Sequence, residues 1–428
     1  MKNIIMILCM ALSIFTFSTT VGAHADLASS SPANGAILDT APTEVVLTFT
    51  TPIDNQVFEI DALNVEMVSV ANGEPSLNSS RNELTISLTD QISGLITIPY
   101  SVISKDGHPI EGSISFTVKE KEVPPISSNE SAVISPVTKD SAEEEKTKTV
   151  EQTTMTKSSP SMDEAESEQT ATPLTSIIKS LYLLSLLLLT GSLLWRFQGH
   201  KVPFLAKMQL LHLALLALFT WSQARNFTQV FEGISWQDLF LRTEVGQFWT
   251  AALVITVLGL YILGRNRYVD VAWVAGILIA KSLNSHAIAT AVPVVTVGLN
   301  FIHLLLSALW IAGLFYILTL WKKGSAEAFV PTFSKMALVS IISLTVTGSI
   351  YAWLLAPNLS SLWTTTWGYW LFAKIVAVIG VFVLGAFIRR HMKKTGSLSE
   401  RRYLYFDGVL ALTILGIVGV LTQLSSSL

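Results

Sequence analysis

The carboxyl-terminal part of the chain contains more long apolar segments than a soluble protein could bury. From Leu174 onward there are eight stretches, each long enough to cross the roughly 30 Å of hydrocarbon in a bilayer. Half of the 428 residues are hydrophobic and only 14% are charged, which excludes an ordinary soluble enzyme. The spans are predicted near residues 174–194, 202–222, 245–264, 270–289, 293–320, 331–356, 369–388 and 405–424.

The loops between these segments differ sharply in basic residues. If the first span runs from outside to inside, the loops assigned to the cytoplasm carry fourteen Lys and Arg residues, and the outer loops carry only Arg225 and Arg242. This bias follows the positive-inside rule, and an even number of spans leaves both termini outside. The sequence therefore predicts a multi-pass protein of the cytoplasmic membrane with an extracytoplasmic amino-terminal region.

The first 23 residues have the pattern of a secretory signal peptide. Lys2 precedes an apolar stretch from Ile4 to Phe17, and Val21 and Ala23 place small side chains at a cleavage site. The apolar stretch is too short for an anchor helix. The only cysteine, Cys9, lies in this leader, so the mature chain is expected to lack thiolate metal ligands and disulfides.

Residues 24–118 alternate apolar and polar side chains with the period of β-strands. The clearest runs are Val45–Phe49, Leu84–Leu88 and Ile114–Val118, and turn signals such as Asn72-Gly73 separate them. We expect an antiparallel β-sandwich of about seven strands. Twelve acidic and two basic residues give this segment a charge of −10, which attracts cations and repels nucleic acid.

Residues 119–172 contain no aromatic side chain and are rich in Ser, Thr, Glu, Lys and Pro. Such a composition cannot bury enough apolar surface to fold, so it predicts a disordered linker. The predicted organisation is a signal peptide at 1–23, a β-sandwich at 24–118, a linker at 119–172 and an eight-helix membrane domain at 173–428.

Two histidines of the β-region form a candidate metal site. Cleavage after Ala23 would make His24 the amino terminus, where its α-amine and imidazole can chelate a metal together. His108 follows Asp106 in a tight turn between two predicted strands. An amine, two imidazoles and one carboxylate suit the tetragonal preference of Cu(II), although ligand type alone also permits zinc.

Three stretches of this region resemble the CopC copper-binding proteins. They are His24–Gly35, Ala41–Phe49 and Tyr100–Pro109, and they cover the start, the first strand and the final hairpin. The resemblance implies a cupredoxin-like sandwich that binds Cu(II) through His24, Asp106 and His108. A methionine-rich Cu(I) site is not expected, because Met67 is the only methionine of the region.

Ionisable side chains within the predicted spans are costly in hydrocarbon and are expected to face the bundle interior. We consider His286, His303, His212 and Met208 as a possible membrane path for copper. Met208 and His212 are four residues apart on one helix face, and Asn300, His303 and Ser307 share another face. The alternative is that these histidines are hydrogen-bonded packing residues. Lys281 and Lys374 repel a metal cation, so they are expected to stabilise structure or bind an anion.

The membrane half is similar to the CopD copper-resistance or copper-import domain. The resemblance is carried by Ser285–Ala287, Ile302–Gly313, Phe333–Val339 and Thr347–Trp353. A CopC domain joined to a CopD domain in one chain resembles the Bacillus-type fused copper importers. The implied function is copper acquisition, with Cu(II) and the lipid bilayer as partners, an unidentified outer copper donor or reductase, and no enzyme activity.

Two other functions are compatible with the sequence. The outer domain could sequester copper for tolerance while the helices anchor it, or haem between membrane histidines could make the protein a copper reductase. ATP-driven export is disfavoured because we find no phosphate-binding loop motif.

The predicted outer site can be tested on the 24–118 fragment. We expect one tight Cu(II) equivalent, with an affinity that falls as the pH drops below the imidazole range, because protons compete for the ligand nitrogens. Adding one residue before His24 should weaken binding markedly, since the α-amine is no longer beside the imidazole. Amino-terminal sequencing of the mature protein supplies the control, and unchanged affinity of the extended fragment would contradict the predicted site.

Overall fold

The computed structural model describes residues 27–90, 92–105, 107–119, 173–202, 204–231, 234–290, 292–320, 326–355, 361–395 and 401–422. The predicted signal peptide and nearly all of the predicted linker lie outside the described residues. In the amino-terminal region, buried and exposed side chains alternate along the strands. In the rest of the chain, the long apolar runs form helices.

Eight strands form two four-stranded sheets, in the orders β1-β3-β6-β5 and β2-β8-β7-β4. The sheets enclose one apolar core, to which alternate residues such as Val45, Leu47 and Phe49 contribute. This arrangement agrees with the predicted sandwich, but it has one strand more than expected and is not wholly antiparallel, because β2 pairs with β8 in parallel. The strands are β1 Leu27–Ser31, β2 Ile37–Leu38, β3 Glu44–Phe49, β4 Ile53–Ile60, β5 Ser76–Leu77, β6 Glu83–Ser87, β7 Gly94–Ser104 and β8 Pro109–Val118.

Ten α-helices and a short 3-10 helix follow within the described residues. The 3-10 helix, His286–Ala289, lies between α5 and α6. The helices are α1 Pro173–Phe197, α2 Leu205–Val230, α3 Trp236–Leu241, α4 Glu244–Ile262, α5 Arg267–Leu283, α6 Pro293–Leu320, α7 Ala326–Leu355, α8 Ser361–Thr364, α9 Thr366–Thr395 and α10 Arg401–Leu421.

Seven of the described helices are long and apolar enough to cross a membrane, so the chain is a multi-pass membrane protein. They are α1, α2, α4, α6, α7, α9 and α10. The predicted span at 270–289 differs, because it forms the 17-residue α5 and the 3-10 helix after it. At 1.5 Å per residue α5 reaches about 26 Å, which is short of the hydrocarbon thickness.

Helices α1 and α6 form the centre of the bundle. Their backbones meet at Gly191, where an added Cβ would lie 2.0 Å from the carbonyl oxygen of Ala308. Only a glycine allows this approach, and close contact between small residues is the usual basis of helix association in lipid. The α5 residues Trp273, Ile277 and Leu278 are buried in the same core.

The β-region packs on one end of the bundle, which we call the domain-facing end. Ile103 of β7, only 1% exposed, packs in an apolar cluster with Phe227 and Phe231 from the end of α2, and with Val245 and Trp249 from the start of α4. The opposite end, where Arg196 pairs with Asp270, is called the far end. The contact between the β-region and the bundle was not predicted, because the composition of the linker does not show where the β-region lies.

Polar contacts fix the position of the β-region over α4. Asp54 is 2% exposed, and its Oδ2 accepts a hydrogen bond of 2.9 Å from the backbone N–H of Glu244, the first residue of α4. Arg81 Nη1 donates to Glu244 Oε1 at 2.7 Å. The free N–H groups and the positive dipole end of a helix favour a carboxylate there, so one domain caps a helix of the other.

Removing the interdomain cap should loosen the docked state. We expect Asp54→Ala to cost about 1 kcal/mol, the usual effect of a lost amino-terminal cap. Spin labels at Asn55→Cys and Gln229→Cys, both exposed positions, would report a single distance in the parent and a broader, longer distribution in the variant. Asp39→Ala is the matched control, because Asp39 is an exposed carboxylate that pairs with Lys119 within the β-region. An unchanged distance distribution in Asp54→Ala would contradict the role of the cap.

Candidate metal centre

Of the three predicted outer ligands, the structure describes only His108. His24 and Asp106 lie outside the described residues, so the ligand set remains a prediction. Among the described residues there is no group of three or more His, Cys, Asp or Glu side chains that could hold a metal ion. Any complete site at His108 therefore needs ligands beyond that part of the chain.

The β7–β8 hairpin holds His108 in a rigid turn. Ser104 N donates to His108 O at 2.8 Å, and His108 N donates to Ser104 Oγ at 3.1 Å. The strands on either side pair in continuous register, beginning at Ile103 and Pro109. Lys105 N also donates to Pro52 O at 2.9 Å, which ties the turn to the segment before β4. The backbone of His108 is thus fixed by hydrogen bonds, as a metal-binding turn requires.

Gly107 brings this turn against the bundle. Its φ of +88° is a conformation that side chains rarely adopt. A Cβ at Gly107 would also lie 2.5 Å from Val245 Cγ2, at the start of α4. Glycine is therefore required both by the backbone and by the contact between the domains.

The same contact places His108 beside a histidine of the membrane domain. The rings of His108 and His286 are 5.4 Å apart between centroids and only 7° from parallel. His286 begins the 3-10 helix between α5 and α6, at the domain-facing end. Two residues that were predicted separately, one as an outer ligand and one as part of a possible membrane path, are neighbours in the structure.

The ring of His286 is oriented by the end of α10. Its Nε2 lies 3.2 Å from the carbonyl oxygen of Thr422, and Lys179 Nζ of α1 donates to the same oxygen at 2.7 Å. Because a carbonyl only accepts, His286 must carry its proton on Nε2 in this contact. In the neutral ring the lone pair is then on Nδ1, and a lone pair is what binds a metal.

His212 of α2, deeper in the bundle, also has one ring nitrogen hydrogen-bonded to an oxygen. Ser185 Oγ donates to Tyr182 O at 2.7 Å, so its oxygen accepts a hydrogen bond from His212 Nδ1 at 2.9 Å. Nε2 of His212 is left with a lone pair, and it is buried with no hydrogen-bond partner among the described residues. One turn away, Met208 Sδ is 4.0 Å from Ser192 Oγ, so the predicted thioether and imidazole of α2 both face α1.

His303 of α6 repeats the pattern on another helix pair. Thr347 Oγ1 of α7 donates to Ser343 O at 2.8 Å, so it accepts from His303 Nδ1 at 3.0 Å. Lys374 of α9 interacts electrostatically with His303. Lys281 donates to Asn284 O at 2.8 Å and so closes the end of its own helix, consistent with a structural role.

The three membrane histidines do not form one cluster. His212 faces α1, whereas His303 faces α7, so the two lie at different helix interfaces. A polar contact does link the segment of His286 to the helix of His303, because Asn300 Nδ2 donates to Ser285 Oγ at 3.1 Å. Ser285 precedes His286, and Asn300 lies one turn above His303. The face that the sequence predicted on α6 therefore contacts the segment that carries His286.

Lys179 and Thr422 were missed by the sequence analysis. Lys179 is an ionisable residue inside a predicted span and is mostly buried, so the criterion that selected the other lysines would also have found it. Thr422 acts through its backbone carbonyl, which no side-chain pattern reveals.

Comparison with known proteins confirms the two resemblances. Residues 27–119 match the CopC domain model, and residues 327–421 match the model of Copper resistance protein D. The second match begins in α7, so the motifs at Ser285–Ala287 and Ile302–Gly313 lie outside it. The chain thus joins a CopC domain and a CopD domain.

Individual relatives share between 22% and 27% of their residues with this chain. The chain is 22% identical to the copper transport protein CutJ of Bacillus subtilis (strain 168) over 442 residues, which covers 94% of this chain and 74% of that protein. The CopC structure from Methylosinus trichosporium OB3b is 27% identical with a TM-score of 0.21, covering 24% of this chain and 99% of that one. The methionine-rich copper resistance protein PcoC of Escherichia coli is 22% identical with a TM-score of 0.21, covering 23% and 100%.

The contact at Gly107 can be separated from its backbone strain. Gly107→Ala should lift the hairpin from α4 and lengthen the distance between labels at residues 55 and 229. Gly35→Ala is the control, because Gly35 has a φ of +77° but no atom of the described residues within 4 Å of an added Cβ. Both variants should lose stability by about 1 to 2 kcal/mol from strain, measured by thermal unfolding, while only Gly107→Ala should undock. Equal label distances in the two variants would count against the contact.

Proposed function

We propose that this chain of a CopC domain and a CopD domain acquires copper, by binding Cu(II) outside the cell and passing it directly to the membrane domain. His24, Asp106 and His108 bind the ion, and His286 receives it. The proposal is carried by the parallel contact between the rings of His108 and His286. The name of the related CutJ, a copper transport protein, supports the same function.

Transfer between these two residues is a ligand exchange without a change of oxidation state. Divalent copper binds nitrogen ligands tightly, so release of the free ion would be slow. A second imidazole that enters before the first one leaves avoids a free ion. The Nδ1 lone pair of His286 is the group that can enter, because Thr422 O already holds its Nε2 proton.

The step after His286 is proposed to lead to His303. Ser285 and Asn300 join the segment of His286 to the face of α6 that carries His303. A positive charge on Lys374, which acts electrostatically on His303, would oppose a resident cation, and this suits a transient ligand better than a storage site. His212 lies at a separate interface, so we propose it as a side site and not as the next ligand.

We propose an extracytoplasmic position for the domain-facing end and eight crossings of the membrane. The basic residues predicted for the cytoplasm support this orientation. Helix α5 supports the eighth crossing, since Asp270 near its start pairs with Arg196 at the far end and His286 after its end reaches Thr422 at the domain-facing end. The 3-10 helix adds the length that α5 lacks.

Substitution of the two neighbouring histidines separates binding from transfer. In purified full-length protein, His108→Ala should weaken Cu(II) binding at the outer site, whereas His286→Ala should leave that affinity within about twofold. Both should lower copper uptake of copper-starved cells severalfold, measured as cell-associated copper by mass spectrometry. His391→Ala, near the far end of α9, is the control and should retain uptake.

Other outcomes would favour the other functions. If His286→Ala cells take up copper normally but all binding variants become sensitive to excess copper, the protein sequesters copper and the helices anchor it. An intense Soret band in the purified protein that disappears in His286→Ala or His303→Ala would instead identify a haem-containing reductase.

A further inference from the structure

The far end of the bundle contains an open cationic cavity that lies outside the proposed copper path. Its volume is about 530 Å³, and it lies between the segment after α1 and the turn that joins α4 to α5. Its lining combines cationic, aromatic and amide side chains: Arg196, Gly199, His200, Lys201, Arg265, Asn266, Arg267 and Tyr268. A cavity with this lining repels a copper ion and attracts an anion.

The frame of the cavity is rigid. Arg196 pairs with the fully buried Asp270, and its Nη2 donates to Gly264 O at 2.6 Å. Gly264 N donates in turn to Asp270 Oδ1 at 2.9 Å. These bonds fix the turn between α4 and α5 against the end of α1, so the two walls of the cavity keep their spacing.

The nearby carboxylate, Asp270, is already paired within this frame. Asp270 is engaged by Arg196, so it does not neutralise the other cations. Within the described part of the chain, no carboxylate pairs with Lys201, Arg265 or Arg267. Three positive charges therefore line one cavity without a counter-ion from these residues.

Two aromatic rings and the amino-terminal end of α5 lie beside these charges. The guanidinium of Arg267 lies over the rings of Phe197 and Tyr268, at 5.8 and 5.3 Å from their centroids. Arg267 is also the first residue of α5, so the positive end of the helix dipole faces the same region. These cation–π contacts hold the guanidinium in place before a ligand arrives. Less side-chain entropy is therefore lost when a ligand binds.

We propose that this cavity binds a phosphate group through Lys201, Arg265 and Arg267. Guanidinium groups match phosphate oxygens in geometry, and a lysine adds a point charge. The phosphate can come from the headgroup of an anionic phospholipid in the adjacent leaflet or from a soluble phosphate compound. The cavity lies at the end of the transmembrane helices α1 and α4, where lipid headgroups are found.

A general excess of basic residues at this end would attract anions without a site, so the test compares variants of equal charge. The full-length protein in neutral detergent is titrated with phosphatidylglycerol, with phosphatidylcholine and with inorganic phosphate, and the midpoint of thermal unfolding is followed. Lys201→Gln/Arg265→Gln removes two charges from the cavity. Lys207→Gln/Lys394→Gln removes two from the same end, outside the cavity lining.

Phosphatidylglycerol or inorganic phosphate, but not phosphatidylcholine, should raise the midpoint of the parent. The cavity variant should need on the order of tenfold more ligand for the same shift, because charge-assisted contacts are lost. A response to phosphatidylglycerol alone identifies the lipid as the source, and a response to both identifies the phosphate group itself.

The proposal is overturned if no phosphate probe changes the midpoint, or if the two double variants weaken the response equally. Arg267→Lys gives a second check, since it keeps the charge but loses the fork and should weaken binding on its own. None of these measurements involves copper, so failure here leaves the proposed copper function untouched.

Discussion

The hydrogen bond from the first amide of α4 to the carboxylate of Asp54 governs how the two halves of this molecule meet. A membrane helix that begins at the lipid surface has unsatisfied N–H groups, and here the β-sandwich supplies an acceptor. Around it, Ile103 enters an apolar cluster and Gly107 lies against Val245. The turn that carries His108 is held on the bundle by the same contacts, so the geometry at His286 depends on the cap.

A second theme is the tautomer of the membrane histidines. His286, His212 and His303 each give one ring proton to an oxygen of a neighbouring helix, and each keeps a lone pair on the other nitrogen. Outer contacts of this kind orient metal-binding histidines in general. In the proposed copper path, these contacts supply the orientation and the tautomer that a metal-binding histidine needs.

The sequence alone was sufficient for the two-part architecture, because strand alternation and apolar length are local properties. Runs such as Val45–Phe49 and Ile114–Val118 fall in β3 and β8, and seven spans coincide with long helices. The count of eight was not confirmed, since apolar length does not distinguish the 17-residue α5 from a full span.

His108 and His286 could each be selected from the sequence, but their proximity could not. His108 was found because it stands in a turn signal, and His286 because it is ionisable at the end of an apolar segment. Their proximity depends on contacts between residues far apart in the chain, such as Asp54 with Glu244, which no local pattern encodes. The carbonyl of Thr422 could not be predicted for a similar reason, since every residue has one.

The distance of 190 residues between Asp54 and Glu244 along the chain has a consequence for biosynthesis. At about 5 to 20 residues per second, α4 leaves the ribosome roughly 10 to 40 s after the strand that caps it. The sandwich can therefore fold first and serve as a template on which the later helices are assembled. The apolar surface around Ile103 is uncovered during that interval, and the sandwich must not aggregate through it. Folding speed therefore matters as well as the finished contact.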